Sequence, residues 1–223
     1  MIKKYMERKF SKRDSKEFNF ARAFFQKIVC NWTFGLVMRM KYKFVISGKE
    51  NLKTDRDYII AANHLANSDP FMLVYALQIP VAYMAKEELF GTFWSRVLMD
   101  FCGAFSVNRD KLEVSTIKTA IAVKKSKWKL GIFPQGTRSK TGNIENLARG
   151  FVALAKTSKC DILPVGINGT ETKGGFFKKG VITINVGELI PCGDDLNDTV
   201  DKWGKAVSEL SGFPYVVEEK VNA

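Results

Sequence analysis

The chain contains a single histidine, His64, and an aspartate follows it five residues later in the run NHLANSDPF, residues 63–71. Histidine is the side chain whose ordinary pKa lets it take up and return a proton near neutrality. A carboxylate on one ring nitrogen would fix the tautomer and stabilise the imidazolium, so His64 and Asp69 have the residue types of an acid–base pair. Each also has a plainer use. A lone histidine often serves as a hydrogen-bonded structural residue, and an aspartate before proline is a good helix N-cap; capping and proton chemistry are compatible in Asp69. The surrounding elements place the pair where a site would be expected. YIIAA (58–62) is apolar and partly β-branched, as a buried strand is, and Asp69-Pro70 reads as a helix start. His64 therefore falls on the turn at the C-terminal end of a strand, the edge where α/β sheets gather their ligands.

The same alternation continues along the chain. Strands are predicted at KFVIS (43–47), VAYMA (81–85), 105–107, LGIF (130–133), ILPVGI (162–167) and VITINVG (181–187). Helices are predicted at 70–77, 88–101, 112–126, 145–158 and 195–210. Interleaving of this kind gives an α/β fold with a largely parallel sheet flanked by helices, over residues 43–223. A chain of 223 residues suits one such domain with an appendage. The glycine-rich loop 168–180, carrying Phe176-Phe177-Lys178-Lys179, has the residues of either a second interfacial contact or a surface turn, and a surface turn is expected. Cys30, Cys102, Cys160 and Cys192 are widely spaced, form no C-x-x-C pair and have one histidine to join them. Neither a zinc site nor a disulfide framework is expected, and a reducing compartment is.

Lysine and arginine number 35 against 23 acidic residues, for a net charge of +12, and residues 1–44 hold twelve basic and three acidic side chains. A basic arm serves nucleic acid or an anionic membrane, and the character of the adjoining segment decides between them. In 18–40, FNFARAFFQKIVCNWTFGLVMRM, Phe20, Phe24, Ile28 and Trp32 recur every four residues, with Arg22, Gln26 and Lys27 on other faces. The longest uncharged stretch, 28–38, has eleven residues, whereas a bilayer span takes about 20. Residues 1–42 are thus expected to form an amphipathic helical segment that lies in the interface of an anionic membrane, each nearby basic side chain adding about 1 kcal/mol. The plainer alternative is a helix packed on its own domain. No small-residue cleavage site comes after the segment, which argues against a signal peptide. A nucleic-acid partner would account for the charge but not for an aromatic apolar helix, and none is expected.

Three further stretches share the character of the first: GAFSVNRD (103–110), FPQGTRS (133–139) and ILPVGI (162–167), each at or beside a predicted strand. Together with N-H-x-x-x-x-D, in this order and spacing, they resemble the glycerolipid acyltransferase family, typified by 1-acylglycerol-3-phosphate acyltransferase, over about residues 58–166. The resemblance implies transfer of a fatty acyl group from a thioester to the free hydroxyl of lysophosphatidic acid, giving phosphatidic acid. The base would be His64, oriented by Asp69. It implies that Arg109 and Arg138 bind the acceptor phosphate, as guanidinium forks do, and that Gln135, Gly136 and Thr137 complete a substrate-binding loop. The partners would be a lysophospholipid acceptor, acyl carrier protein or acyl-coenzyme A as donor, and the surface of an anionic bilayer, at whose cytoplasmic face the protein would sit as a peripheral, monotopic enzyme. The basic run KKSKWK (124–129) would attract either negatively charged donor. No metal or cofactor is implied.

The chain departs from the family's pattern twice. The third motif usually reads F-P-E-G-T-R-S, and Gln135 replaces the acid, keeping an acceptor, losing the charge and gaining an N–H donor. The first motif often has serine two residues after the histidine, where Ala66 stands. Alternatives are glycerol-3-phosphate or another lysolipid as acceptor, and, from other classes, a basic nucleic-acid-binding protein or a membrane-docked relative without activity.

Overall fold

In a computed structural model, the structure describes Lys3, Tyr5, Glu7, Arg8, and residues 10–107 and 114–217. A seven-stranded sheet forms its centre, comprising β1 (Tyr42–Ser47), β2 (Tyr58–Ala62), β3 (Val81–Lys86), β4 (Phe105–Val107), β5 (Lys129–Ile132), β6 (Asp161–Asn168) and β7 (Gly180–Val186). The spatial order is β1-β7-β6-β2-β5-β3-β4. Every pair is parallel except β6 with β7, so β6, β2, β5, β3 and β4 end on one edge, while β7 and β1 run the other way.

Period-two alternation explains the layers. Ile59 and Ala61 of β2 face a core completed by helices α5 (Val114–Lys124), α6 (Gly150–Ser158) and α7 (Leu196–Ser211), through Val123, Leu154 and Trp203. Tyr58, Ile60 and Ala62 face the opposite core, filled by Met72, Leu73 and Leu77 of α3 (Asp69–Leu77). Burying a side chain such as Met72, which is wholly inaccessible, contributes about 1.5–3 kcal/mol.

The expected helix over 88–101 is two pieces: a 3₁₀ turn, Glu87–Phe90, then α4 (Phe93–Phe101). Thr92 starts α4 through a capping box with Ser95, which ends the preceding turn. The expected helix over 145–158 begins only at Gly150. Asn146 takes a left-handed φ of 55°, and Ile144 is drawn into a bridge with Tyr215, so 144–149 cannot wind. The other elements agree with expectation within two residues at their ends, except that 112–113 lie outside the described residues. Phe133 leaves the predicted strand and turns toward His64.

The segment before β1 is helical: α1 (Phe20–Ile28), capped by Asn19, then a π-helical stretch, Val29–Phe34, then α2 (Gly35–Lys41). A four-residue apolar repeat drifts around an α-helix of 3.6 residues per turn, and the wider π winding returns it to one side. Phe20, Phe24, Ile28, Trp32 and Leu36 consequently all remain exposed. The opposite face packs on the sheet domain. Gln26 is buried there, its Nε2 donating to the carbonyls of Val81 and Cys102 at 2.7 Å each and its Oε1 accepting the Val81 N–H at 3.1 Å. Gly35 permits close approach to α3, since a Cβ would lie 2.8 Å from the Tyr75 ring.

Farther toward the start, Arg13 and Asp100 form a buried ion pair at 2.6 Å, joined by Arg22 at 3.0 Å and the Tyr5 hydroxyl at 3.1 Å. Burial lowers the Arg13 pKa to about 10 against the opposing pull of Asp100. The loop between β6 and β7 is a surface turn with Phe176 and Phe177 exposed, tied to α2 by a Lys179 Nζ to Arg39 carbonyl bond of 2.8 Å. Among the described residues no helix is long and apolar enough to cross a membrane.

Candidate active site

The chain leaves β2 at Asn63, whose buried amide continues the sheet in side-chain form. Its Nδ2 donates to the Ile167 carbonyl at 2.9 Å and its Oδ1 accepts the Ile167 N–H at 2.7 Å. The next turn is wound around Asp69. One oxygen, Oδ2, accepts the N–H groups of Leu65 at 2.7 Å and Ala66 at 2.8 Å and lies 2.8 Å from His64 Nδ1. Asp69 is fully inaccessible, and its Oδ1 has no partner among the described residues. The N-cap reading of Asp69 is corrected: the α3 cap position is Ser68, without a side-chain cap bond, and Asp69 binds donors upstream instead of the helix's own N–H groups. With Oδ2 as acceptor, Nδ1 carries the hydrogen, and Nε2 makes no hydrogen bond to the described residues.

The FPQGTRS segment closes over this turn. Phe133 stacks on the imidazole with ring centroids 4.2 Å apart, and Tyr83 stacks on Phe133 at 5.8 Å. The His64 N–H donates to Gln135 Oε1 at 3.1 Å, and the Ser139 N–H donates to the His64 carbonyl at 2.8 Å. Gly136 has a left-handed φ of 68°, a conformation that glycine takes without strain. Thr137 and Arg138 are exposed, and Arg138 makes no ion pair with the described residues. Arg109 lies outside the described residues; β4, which leads to it, ends at Val107.

His64 opens on a cavity of about 340 Å³. Pro70, Phe71, Val74, Tyr83 and Met99 give it apolar walls, joined by Cys30 and Cys102, and Gln26, Lys86 and Asn67 add polar groups. Tyr83 is buried and its hydroxyl has no partner among the described residues; burial, aided by Cys30 and Asp69, holds its pKa well above the usual phenol. Burial likewise raises the Cys102 thiol to about 12 and the Cys30 thiol above its ordinary value, so both line the cavity as inert apolar groups. Of KKSKWK, Lys124 is engaged with Asp57 at 3.1 Å and with two carbonyls, Trp128 is buried, and Lys129 lies over the Tyr58 ring, which leaves Lys125 and Lys127 exposed.

The contact of His64 with Asp69, at the C-terminal sheet edge beside a largely apolar cavity, lies within the stretch recognised by a family model. The model described as Acyltransferase matches residues 43–168. The chain belongs to the acyltransferase family. Among its relatives is the 1-acyl-sn-glycerol-3-phosphate acyltransferase of Bacillus subtilis (strain 168), 34% identical over 154 residues, or 69% of this chain and 76% of that protein. The enzyme of the same name from Borreliella burgdorferi is 30% identical over 63% of this chain and 56% of its own length. The human 1-acyl-sn-glycerol-3-phosphate acyltransferase beta is 28% identical over 67% of this chain, again 56% of its own length. The chain thus spans little more than half of the latter two. The fold is shared with the crystal structure of the 1-acyl-sn-glycerophosphate acyltransferase PlsC from Thermotoga maritima, at a TM-score of 0.61 and 23% identity over 84% of this chain and 77% of that one.

Asn63, Phe133, Ser139 and Tyr83 were not singled out from sequence. Asn63 and Phe133 lie inside quoted motifs and Ser139 closes one, but their contacts cross 104, 69 and 75 residues of chain, which no local spacing reports.

Proposed function

We propose that this acyltransferase moves a fatty acyl group from an acyl thioester to the free hydroxyl of lysophosphatidic acid. The observation that carries the reading is the 2.8 Å contact of His64 Nδ1 with buried Asp69, at the mouth of an apolar cavity. The acceptor hydroxyl oxygen attacks the thioester carbonyl carbon as its proton passes to Nε2. Collapse of the tetrahedral adduct breaks the carbon–sulfur bond, and the imidazolium returns the proton to the leaving thiolate. Asp69 keeps the tautomer and supports the transient cation, help typically worth about 10²–10⁴ in rate. The cavity takes the acyl chain, and Arg138, with Arg109, takes the acceptor phosphate. The relatives' names support lysophosphatidic acid as acceptor. The exposed stripe of Phe20, Phe24, Trp32 and Leu36, beside a basic sequence, supports peripheral attachment to the cytoplasmic face of an anionic bilayer.

The test is turnover of acyl-coenzyme A and acyl carrier protein thioesters against lysophosphatidic acid, glycerol-3-phosphate and lysophosphatidylcholine. Phosphatidic acid formation should dominate with one or both donors. Preferred acylation of glycerol-3-phosphate or of the choline lipid would overturn the acceptor assignment, and no turnover of any acceptor would overturn the activity.

A further inference from the structure

The loop that joins β6 to β7 is fastened to the end of α2 by specific contacts. Tyr42, the residue after α2, is buried; its hydroxyl donates to the Thr172 carbonyl at 2.6 Å and accepts the Gly174 N–H at 3.0 Å. Gly174 lets the two backbones meet, since a Cβ there would lie 2.4 Å from the Lys41 carbonyl oxygen. Together with the bond of Lys179 to the Arg39 carbonyl, these contacts set the direction of the loop. The Gly175 N–H donates to the Lys178 carbonyl at 3.0 Å, which closes a tip formed by Phe176 and Phe177. Phe176 is 59% exposed, with Lys41 Nζ 5.6 Å from its ring centroid, and Phe177, at 107%, buries nothing. Water gives no return for two phenylalanines held out by a tethered turn, whereas the interfacial region of a bilayer does. We propose that this turn is a second bilayer contact, in which Phe176 and Phe177 enter the apolar boundary of an anionic leaflet while Lys173, Lys178 and Lys179 stay among the headgroups. The inference rests on the peripheral attachment proposed above and adds to it a contact outside the N-terminal segment.

Continuity, charge and position favour a bilayer as the occupant. On α2, Leu36, Val37 and Met40 are exposed, and the helix ends at Lys41, against which the loop packs, so the turn adjoins the N-terminal stripe. Residues 171–180 carry three lysines and one acid, Glu171, and all three lysines are exposed, which suits an anionic surface. The turn also stands at the sheet edge that carries His64. It leaves β6 after Asn168, one residue beyond Ile167, which Asn63 binds at the end of β2, and it enters β7 at Gly180, level with Tyr42. A helical stripe alone can roll about its own axis on a flat surface. A second contact, carried by chain that belongs to the sheet, resists that roll and turns the edge bearing His64 toward lipid.

The test places an environment-sensitive fluorophore on Phe177→Cys in a Cys192→Ser background, where the remaining cysteines, Cys30, Cys102 and Cys160, are buried. The control carries it on Lys202→Cys, an exposed position of α7, which packs on the opposite face of the sheet. On adding phosphatidylglycerol–phosphatidylcholine vesicles, emission from position 177 should shift to the blue and be quenched by brominated lipid, while position 202 stays aqueous. In the unlabelled protein, Phe176→Ser with Phe177→Ser should weaken vesicle binding about tenfold, the partition lost with one to two phenylalanines, at an unchanged melting temperature. A fluorophore at 177 that stays aqueous while the protein floats with the vesicles overturns this inference and leaves attachment through the N-terminal stripe standing. Unweakened binding of the serine pair overturns it as well, as does a lowered melting temperature, which would show that the phenylalanines pack on the protein. Self-association in vesicle-free solution that the serine pair abolishes would overturn it in favour of a contact between copies. If the wild type does not float with vesicles at all, peripheral attachment falls and this inference falls with it.

Discussion

One oxygen of Asp69 serves three donors, and removing the charge while keeping the shape tests what it does for His64. Asp69→Asn can still offer its carbonyl to Leu65, Ala66 and the neutral imidazole, so the turn should survive with little change in melting temperature. The imidazolium loses its counter-charge, and kcat should fall about 10²-fold or more. His64→Ala should abolish transfer with the fold intact, as thermal unfolding will report. Arg138→Ala should raise the KM for lysophosphatidic acid about tenfold or more and leave the donor KM alone, because a charge-assisted contact to phosphate is worth roughly 1.5–3 kcal/mol. A donor KM that moved instead would assign Arg138 to the thioester. The pair itself was legible in NHLANSDPF because five residues of turn suffice to bring Asp69 to His64. The bonds of Gln135 and Ser139 to the His64 main chain were not, because β2 and β5 must first lie side by side before the two reach the same residue.

At the scale of elements, the helical segment from α1 through α2 has one face exposed and the other packed on the sheet domain. Phe24 and Trp32 are 57% and 74% exposed, so replacing both with serine should weaken vesicle binding in flotation while the melting temperature hardly moves. Activity on bilayer-embedded acceptor should fall more than activity on a short-chain soluble one. If both fell alike with a lowered melting temperature, the stripe would be packing, not anchoring. Gln26→Leu should behave oppositely: it fills the space but strands buried polar groups of Val81 and Cys102, a cost of about 1–3 kcal/mol visible in denaturant unfolding, with vesicle binding retained. Sequence periodicity located the aromatic stripe and the α/β alternation. It did not show the π winding at Val29–Phe34, since a four-residue repeat reads as an α-helix until backbone bonding is seen, nor the capping box at Thr92 that splits 88–101.

The molecule as a whole is fastened at its start by charge in its interior. Asp100→Ala leaves Arg13 buried without its counter-ion and should cost about 3–5 kcal/mol, read by urea unfolding. Closure of the sheet has a further consequence, which concerns time. Among the described residues the only strand that β1 pairs with is β7, where Tyr42 meets Gly180, and Ser47 bonds Asn185 across 138 residues of chain. The seats for Gln26, on Val81 and Cys102, likewise come later in the chain than α1. A ribosome adding about 5–20 residues per second needs on the order of ten seconds to supply them. Throughout that interval Phe20, Phe24, Ile28 and Trp32 are already made and the sheet beneath them is not. The aromatic stripe is thus synthesised well before the opposite face of its own segment has strands to pack on.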